Sequence, residues 1–316
     1  MRRFILRRLL MMLPVVVVVT LVAFSLILLL PGDPALMMLG DQNATNTDAY
    51  RALRAELGLD QPVPIQYLNW VAKAVHGDFG YSLRDQLPVG QELASHALPT
   101  LELALLAMIF AVVVSVAAGS ISALRPNSLA DVVATLLAFS GVAVPHFFLG
   151  ILLIYAFSLG LRVLPPSGYV APWDNLGQNL RLMILPSLTL GAGLAAVLTR
   201  QIRSALLDVM QQEYITTARA KGLREQAVVM RHAFKNGLVP ISTVIGLQVG
   251  TLMGGAVITE TIFSIPGMGR MIVDSIFFRD FPTVQAAVFI LALLVLVANL
   301  LTDLIYAAVD PRIRFT

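Results

Sequence analysis

Apolar residues run along this chain in six stretches, each separated from the next by polar clusters. Leu9 to Leu30 is uncharged for 22 residues, about 33 Å of helix at ~1.5 Å per residue, enough to cross a hydrocarbon core of roughly 30 Å. The others run from Leu98 to Leu124, Ala130 to Leu159, Leu185 to Leu207, Pro240 to Phe263 and Val284 to Val309. The pattern predicts an all-α polytopic membrane protein with six transmembrane helices. The fourth is the shortest, because only Leu185 to Thr199, 15 residues, is uncharged; surrounding protein must shelter it, and the helix should continue through Arg200 and Arg203 into water. Its Gly191, Gly193, Ala195 and Ala196 suit close helix contact. Pro145, midway along the third, lacks the N–H a straight helix needs and should kink it beside His146, for which a packed, hydrogen-bonded ring is the expectation.

Residues 31–97 form an insertion after the first span, too long for a bare connection. Asp60-Gln-Pro-Val-Pro-Ile65 opens an amphipathic stretch with Ile65, Leu68, Val71, Ala72 and Val75 at helical spacing, which predicts a small helical cap. Ala44 to Asp48 is polar and turn-like. The four Arg near the N-terminus mimic a signal-peptide flank, but the apolar run is long and leads into Pro31-Gly-Asp-Pro34 without a small-residue cleavage site, so a retained anchor is expected.

Composition agrees with a membrane protein: 57% hydrophobic residues, 13% charged residues and a mean hydropathy of +0.80, against about 25% charged in a soluble domain. There is no cysteine, which excludes disulfides and thiolate metal sites, and His76, His96, His146 and His232 have no metal-ligand spacing. No cofactor is expected in this chain. The net charge of +3 matters by its location, and no nucleic-acid partner is implied; lipid is the surrounding medium. With the N-terminus in the cytoplasm, 14 Lys and Arg fall inside and eight outside, the insertion carrying a balance of −4 from four basic and eight acidic residues. That follows the positive-inside tendency and returns the C-terminus to the cytoplasm.

Between the fourth and fifth spans lies a basic loop, residues 208–239, centred on Tyr214-Ile-Thr-Thr217-Ala218-Arg219-Ala220-Lys221-Gly222-Leu223-Arg224. On a helix Ala218 and Gly222 would share a face without bulk, open to close backbone approach, with Arg219, Lys221 and Arg224 flanking it, while Gly222 can end the helix in a left-handed cap. In the fifth span Gly246, Gly250 and Gly254 repeat at four-residue steps, which suits either a meeting of two membrane subunits or packing within one bundle, and Gln248 is a polar candidate to line an aqueous space at that depth. In the sixth, Asn299, Asp303, Tyr306 and Asp310 align on one face, and Asp303 should not face lipid. Glu102 and Glu260 are expected to cap or anchor their helices. Neither forms a catalytic acid–base pair, and no nucleophile, base and orienting group recur at a spacing that would make a hydrolase.

The loop window resembles the coupling loop of ATP-binding-cassette importer permeases of the peptide and nickel branch. Thr216-Thr217-Ala218 stands where the general pattern has Glu-Ala-Ala, Gly222 matches, and the proline comes late, at Pro240. Arg7-Arg8-Leu-Leu with Leu30-Pro-Gly-Asp-Pro-Ala35, Leu57-Gly-Leu-Asp-Gln-Pro62, Gly77-Asp-Phe-Gly-Tyr-Ser82, Glu260-Thr-Ile-Phe-Ser-Ile-Pro-Gly-Met-Gly-Arg270 with Arg279-Asp-Phe-Pro282, and Asp310-Pro-Arg-Ile-Arg314 are similar to that family in the same order. The resemblance implies one permease domain over 1–316 with the type I importer fold, an extracytoplasmic insertion at 31–97, and a bacterial inner-membrane location. It implies, as partners, a second homologous permease (a heterodimer), two ATPase subunits that bind ATP and Mg, and an extracytoplasmic solute-binding protein. The chain has no Gly-x-x-x-x-Gly-Lys-Ser/Thr sequence, so it is not expected to be the ATPase. The expected cargo is di- or oligopeptides. The alternatives are a nickel-chelate, opine or glutathione importer of the same architecture, or, in another class, a gradient-driven secondary transporter, against which no internal repeat is visible.

Overall fold

The computed structural model describes residues 2–29, 35–36, 47–56 and 58–309. In chain order the helices are α1 (Arg2–Leu29), α2 (Thr47–Glu56), α3 (Val63–Val75), α4 (Val89–Leu124), α5 (Leu129–Ala143), α6 (His146–Leu153, prolonged by a π-helical segment Ile154–Gly160), α7 (Leu176–Met210), α8 (Glu213–Ala220), α9 (Glu225–Ala227, prolonged by a π-helical segment Val228–Ala233), α10 (Phe234–Phe263), α11 (Met268–Phe277) and α12 (Phe281–Val309). Four of them, α1, α4, α7 and α12, are long and apolar enough to cross a membrane; α5 with α6, bent by 110°, and α10 with α11, bent by 72°, bring the number to six when each pair is one span. Pro145 does more than kink the third stretch. Val144 and Pro145 are extended, and the helix restarts at His146 in a new direction. The Pro31–Pro34 opening of the insertion, most of its polar Ala44–Asp48 segment, and the ending from Asp310 lie outside the described residues.

The shortest apolar stretch became the centre of the bundle. Of the α7 window, 72% is buried, against 17% in α1 and 28% in both α4 and α12, so protein does shelter it, and the helix runs on through Arg200 and Arg203 to Met210. Glycine sets the α4–α7 distance: a Cβ at Gly191 would lie 2.7 Å from the Ala107 backbone oxygen, and one at Gly119 2.8 Å from the Ile202 Cβ. Ala195, Leu198 and Ile202 continue the same core.

Buried carboxylates tie the helix ends. At the basic-loop end Arg203 grips Asp131 with two hydrogen bonds of 2.8 Å, and the Ser122 hydroxyl and Asn127 N–H donate to the same carboxylate. At the opposite end Asp280 accepts from the Ser82 hydroxyl (2.6 Å), the Leu83 N–H (3.1 Å) and the Thr283 hydroxyl (2.9 Å), which pins the Gly77–Ser82 segment to the start of α12.

The amphipathic stretch is helical, as α3, but its inward face differs from the expected one. Ile65, Leu68 and Val75 are exposed, whereas Tyr67, Trp70 and Ala74 face the bundle. Tyr67 hydrogen-bonds Thr20 at 2.8 Å and meets the Phe24 ring edge-on at 5.6 Å, and Trp70 meets Phe289 likewise at 5.6 Å. Aromatic rings with a polar tip bury more area against α1 and α12 than the aliphatic residues do, and an aliphatic face beside a membrane has no need of a protein core.

Candidate functional site

Two regions concentrate the expected site residues: the loop at one end of the bundle and a cavity at the Pro145 break. In the loop, α8 is seated by Ile215 and Ala218, both buried in the main core with Leu206, Val228 and Ala233. Their spacing of three puts them on one face. Its outer side and the turn that follows present Tyr214 and Leu223, each more than two-fifths exposed, together with the exposed Thr217, Ala220, Lys221 and Arg224.

Ala218 and Gly222 therefore do not form a shared open face. The helix ends at Ala220, and Gly222, at φ +77°, lies outside it in a left-handed turn; its N–H reaches the Arg219 carbonyl at 2.9 Å and the Leu223 N–H reaches Ala218 at 3.4 Å. The left-handed cap expected of Gly222 is present, because only a residue without Cβ takes that conformation at no cost. A side chain there would meet nothing within 4 Å. Arg219 forks onto Glu225, with bonds of 2.7 and 3.1 Å, and closes the turn. The guanidinium holds the Glu225 carboxyl below the usual carboxylate range, and the carboxylate raises Arg219 in return.

α8 stands where α7 ends and where the chain returns, through α9, into α10. A cleft of about 620 Å³ opens beside it, lined by Leu124, Leu207, Met210, Arg219, Glu225 and Met230 among others.

The second region is a cavity of about 180 Å³ between α5, α6, α7 and α10. Gln248 lines it, with Thr251 and Gly255 from the same helix, His146 from the start of α6, and Gly193 from α7. The glycines of α10 divide by role. A Cβ at Gly255 would lie 2.8 Å from Leu190, so this residue permits packing inside the bundle; Gly250 is in ordinary contact range of Val295, and Gly254 faces open space. Gly246 lies in the same helix and Asp303 in α12, but their side-chain positions are outside the described ones; Asn299, also in α12, is half-buried and is not part of the cavity.

Glu260 and Glu102, expected to cap or anchor their helices, each have a defined partner. Glu260 is fully buried, accepts from the Thr100 hydroxyl at 2.6 Å and from the Arg270 N–H at 2.9 Å, and so caps the N-terminus of α11 across the turn; Thr100 in turn accepts the Met268 N–H at 2.8 Å. Glu102 accepts from the Tyr169 hydroxyl at 2.8 Å, and burial together with this carboxylate pushes the Tyr169 phenol up. Asp131 and Arg203 were not singled out by pattern, although Ser128-Leu-Ala-Asp131 carries the spacing of a helix cap, and Ser128 does accept the Asp131 N–H.

Residues 115–315 match the family described as binding-protein-dependent transport system inner membrane component, and residues 1–103 match the family of its N-terminal region. The chain is 40% identical to the dipeptide transport system permease protein DppB of Escherichia coli (strain K12), over 99% of each protein. It is also 40% identical to the glutathione transport system permease protein GsiC of the same strain, over the full length of both. Among solved structures, an amino acid ABC transporter crystallised with histidines matches with a TM-score of 0.50 and 15% identity, covering 70% of this chain and 94% of that one, a likeness of fold alone.

Proposed function

The chain belongs to the family of binding-protein-dependent transport system inner-membrane components, and from that premise we propose how this permease subunit of an ATP-driven importer works. The cargo is a short peptide, in keeping with the dipeptide and glutathione relatives. Those two names favour di- or oligopeptides and keep glutathione, itself a peptide, as the second cargo. ATP and Mg are bound by two partner ATPases; a second, homologous permease completes the membrane channel, and a solute-binding protein delivers cargo on the side of the acidic insertion. Both termini and the basic loop lie in the cytoplasm.

One observation carries the coupling assignment: α8 is anchored by Ile215 and Ala218 where α7 ends and α10 begins, the two helices that share the Gln248 cavity. A push on its outer face is transmitted to both. The exposed Tyr214 and Leu223 supply apolar contact, and Lys221 and Arg224 supply charge for an acidic rim on the ATPase. Nucleotide shifts the equilibrium by binding one docked arrangement more tightly than the other.

Gly222 provides the test. Gly222→Trp should leave membrane insertion intact and abolish the ATP hydrolysis that loaded binding protein stimulates in the assembled complex. Because any L-residue at φ +77° is strained, Gly222→Asn serves as the control: asparagine tolerates that conformation and should retain most of the stimulation. Full stimulation in the tryptophan variant would refute docking at this turn.

A further inference from the structure

We propose that the cavity at the Pro145 break is a binding waist in the transport route, where His146 and Gln248 hydrogen-bond the amide groups of a passing peptide. This deepens the importer reading and rests on it. The walls are apolar, from residues such as Val142, Leu190 and Leu194, and no Lys, Arg, Asp or Glu lines the space. Its hydrogen-bonding groups are the His146 imidazole, the Gln248 carboxamide and the Thr251 hydroxyl.

Among the described residues, neither His146 nor Gln248 has a side-chain hydrogen-bond partner, whereas Thr189, Thr199, Thr259 and Thr261 all bond back to their own helices. Both side chains are half-buried, so their polar groups are open to water or to a ligand in the cavity. The packing holds His146 in place: a Cβ at Gly193 would lie 2.5 Å from its Cε1, so the missing side chain is the room the ring occupies. Thr251 and Gly254 are exposed on the same helix, so the cavity opens along a face of α10 that the described residues leave uncovered.

The chemistry selects an amide. Glutamine offers a carbonyl and an NH₂, neutral imidazole offers one donor and one acceptor, and a dehydrated peptide bond needs one of each. A metal ion or an isolated anion would require charge that this lining does not carry. Such a site reads the peptide backbone and leaves side chains undiscriminated, so cargo selection falls to the binding protein.

This chain has no cysteine, so one introduced thiol can be followed on the chain itself. In the complete transporter reconstituted in liposomes, the thiol of Thr251→Cys should react with a charged, membrane-impermeant thiol reagent, at a rate that differs between nucleotide-free and vanadate-trapped states and falls when binding protein loaded with Ala-Ala is supplied. Gln248→Leu and His146→Phe should each raise the KM for Ala-Ala uptake about tenfold, the equivalent of one hydrogen bond at roughly 1.4 kcal/mol. Gln248→Asn should recover part of the loss. An unreactive thiol in every state, or unchanged Ala-Ala uptake in both apolar variants, overturns the waist and leaves the importer reading standing. Lack of ATP-dependent uptake of both Ala-Ala and glutathione by the unaltered complex overturns the two together.

Discussion

Glu260 has no exposed surface, and its carboxylate is satisfied by Thr100 and by the backbone of Arg270. Removing it leaves the Thr100 hydroxyl and a helix N-terminus without their acceptor, each worth about 1–3 kcal/mol when buried and unpaired. Glu260→Ala should therefore lower the melting temperature of the detergent-solubilised protein clearly, and Thr100→Val should do so by a smaller step. Gly267 enters the same arrangement from the other side: a Cβ there would collide with the Glu260 carboxyl, so Gly267→Ala should destabilise although it adds only one methyl. The glutamate could be picked out in the sequence as an anchor. Its partners could not, since Thr100 is 160 positions away and only the folded α4–α10 contact brings it near.

Among the elements, the connection from α4 to α5 shows how one ion pair fixes three helices. Asp131 at the start of α5 holds Arg203 of α7, while Ser122 at the end of α4 shares the carboxylate. Asp131→Ala leaves the guanidinium without its counter-charge and should reduce the yield of folded protein, measured as the monodisperse fraction in detergent. The exchanged pair Asp131→Arg with Arg203→Asp should recover part of it; no recovery would mean that the Ser122 and Asn127 bonds, not the charge pair, secure the joint. α8 and its turn behave differently with pH. Glu225 titrates below the usual carboxylate range because of Arg219, so the order it contributes is present above the unfolded carboxylate pKa and is lost only as pH falls through the depressed value. Amide exchange of residues 219–225 should thus show constant protection across neutral and mildly acidic pH and fall in stronger acid, with Glu225→Gln lowering it throughout. The pair is exposed, so its effect stays local.

At the scale of the whole molecule, the proposed assembly has a direct measurement. Tagged protein taken from native membranes in mild detergent should carry with it a second permease and one or two P-loop ATPases, identified by mass spectrometry; purification alone, even after cross-linking, would contradict the proposed partners. Six apolar stretches, the cap helix α3 and the terminating Gly222 were all legible in the sequence, because hydrocarbon thickness dictates span length and a glycine past a helix end needs no neighbour to take a positive φ. The family, too, was legible in short motifs along nearly the whole chain. What the linear pattern could not give was direction and partnership. The 110° turn at Pro145, the aromatic face by which α3 docks, the burial of Ala218 within its own bundle, and the lining of one cavity by His146 and Gln248, about a hundred residues apart in sequence, all depend on which surfaces face each other. Periodicity names the apolar side of a helix. Whether that side meets lipid, a neighbouring helix or an open cavity was decided only by the packing of the bundle, since in a membrane all three tolerate the same apolar residues.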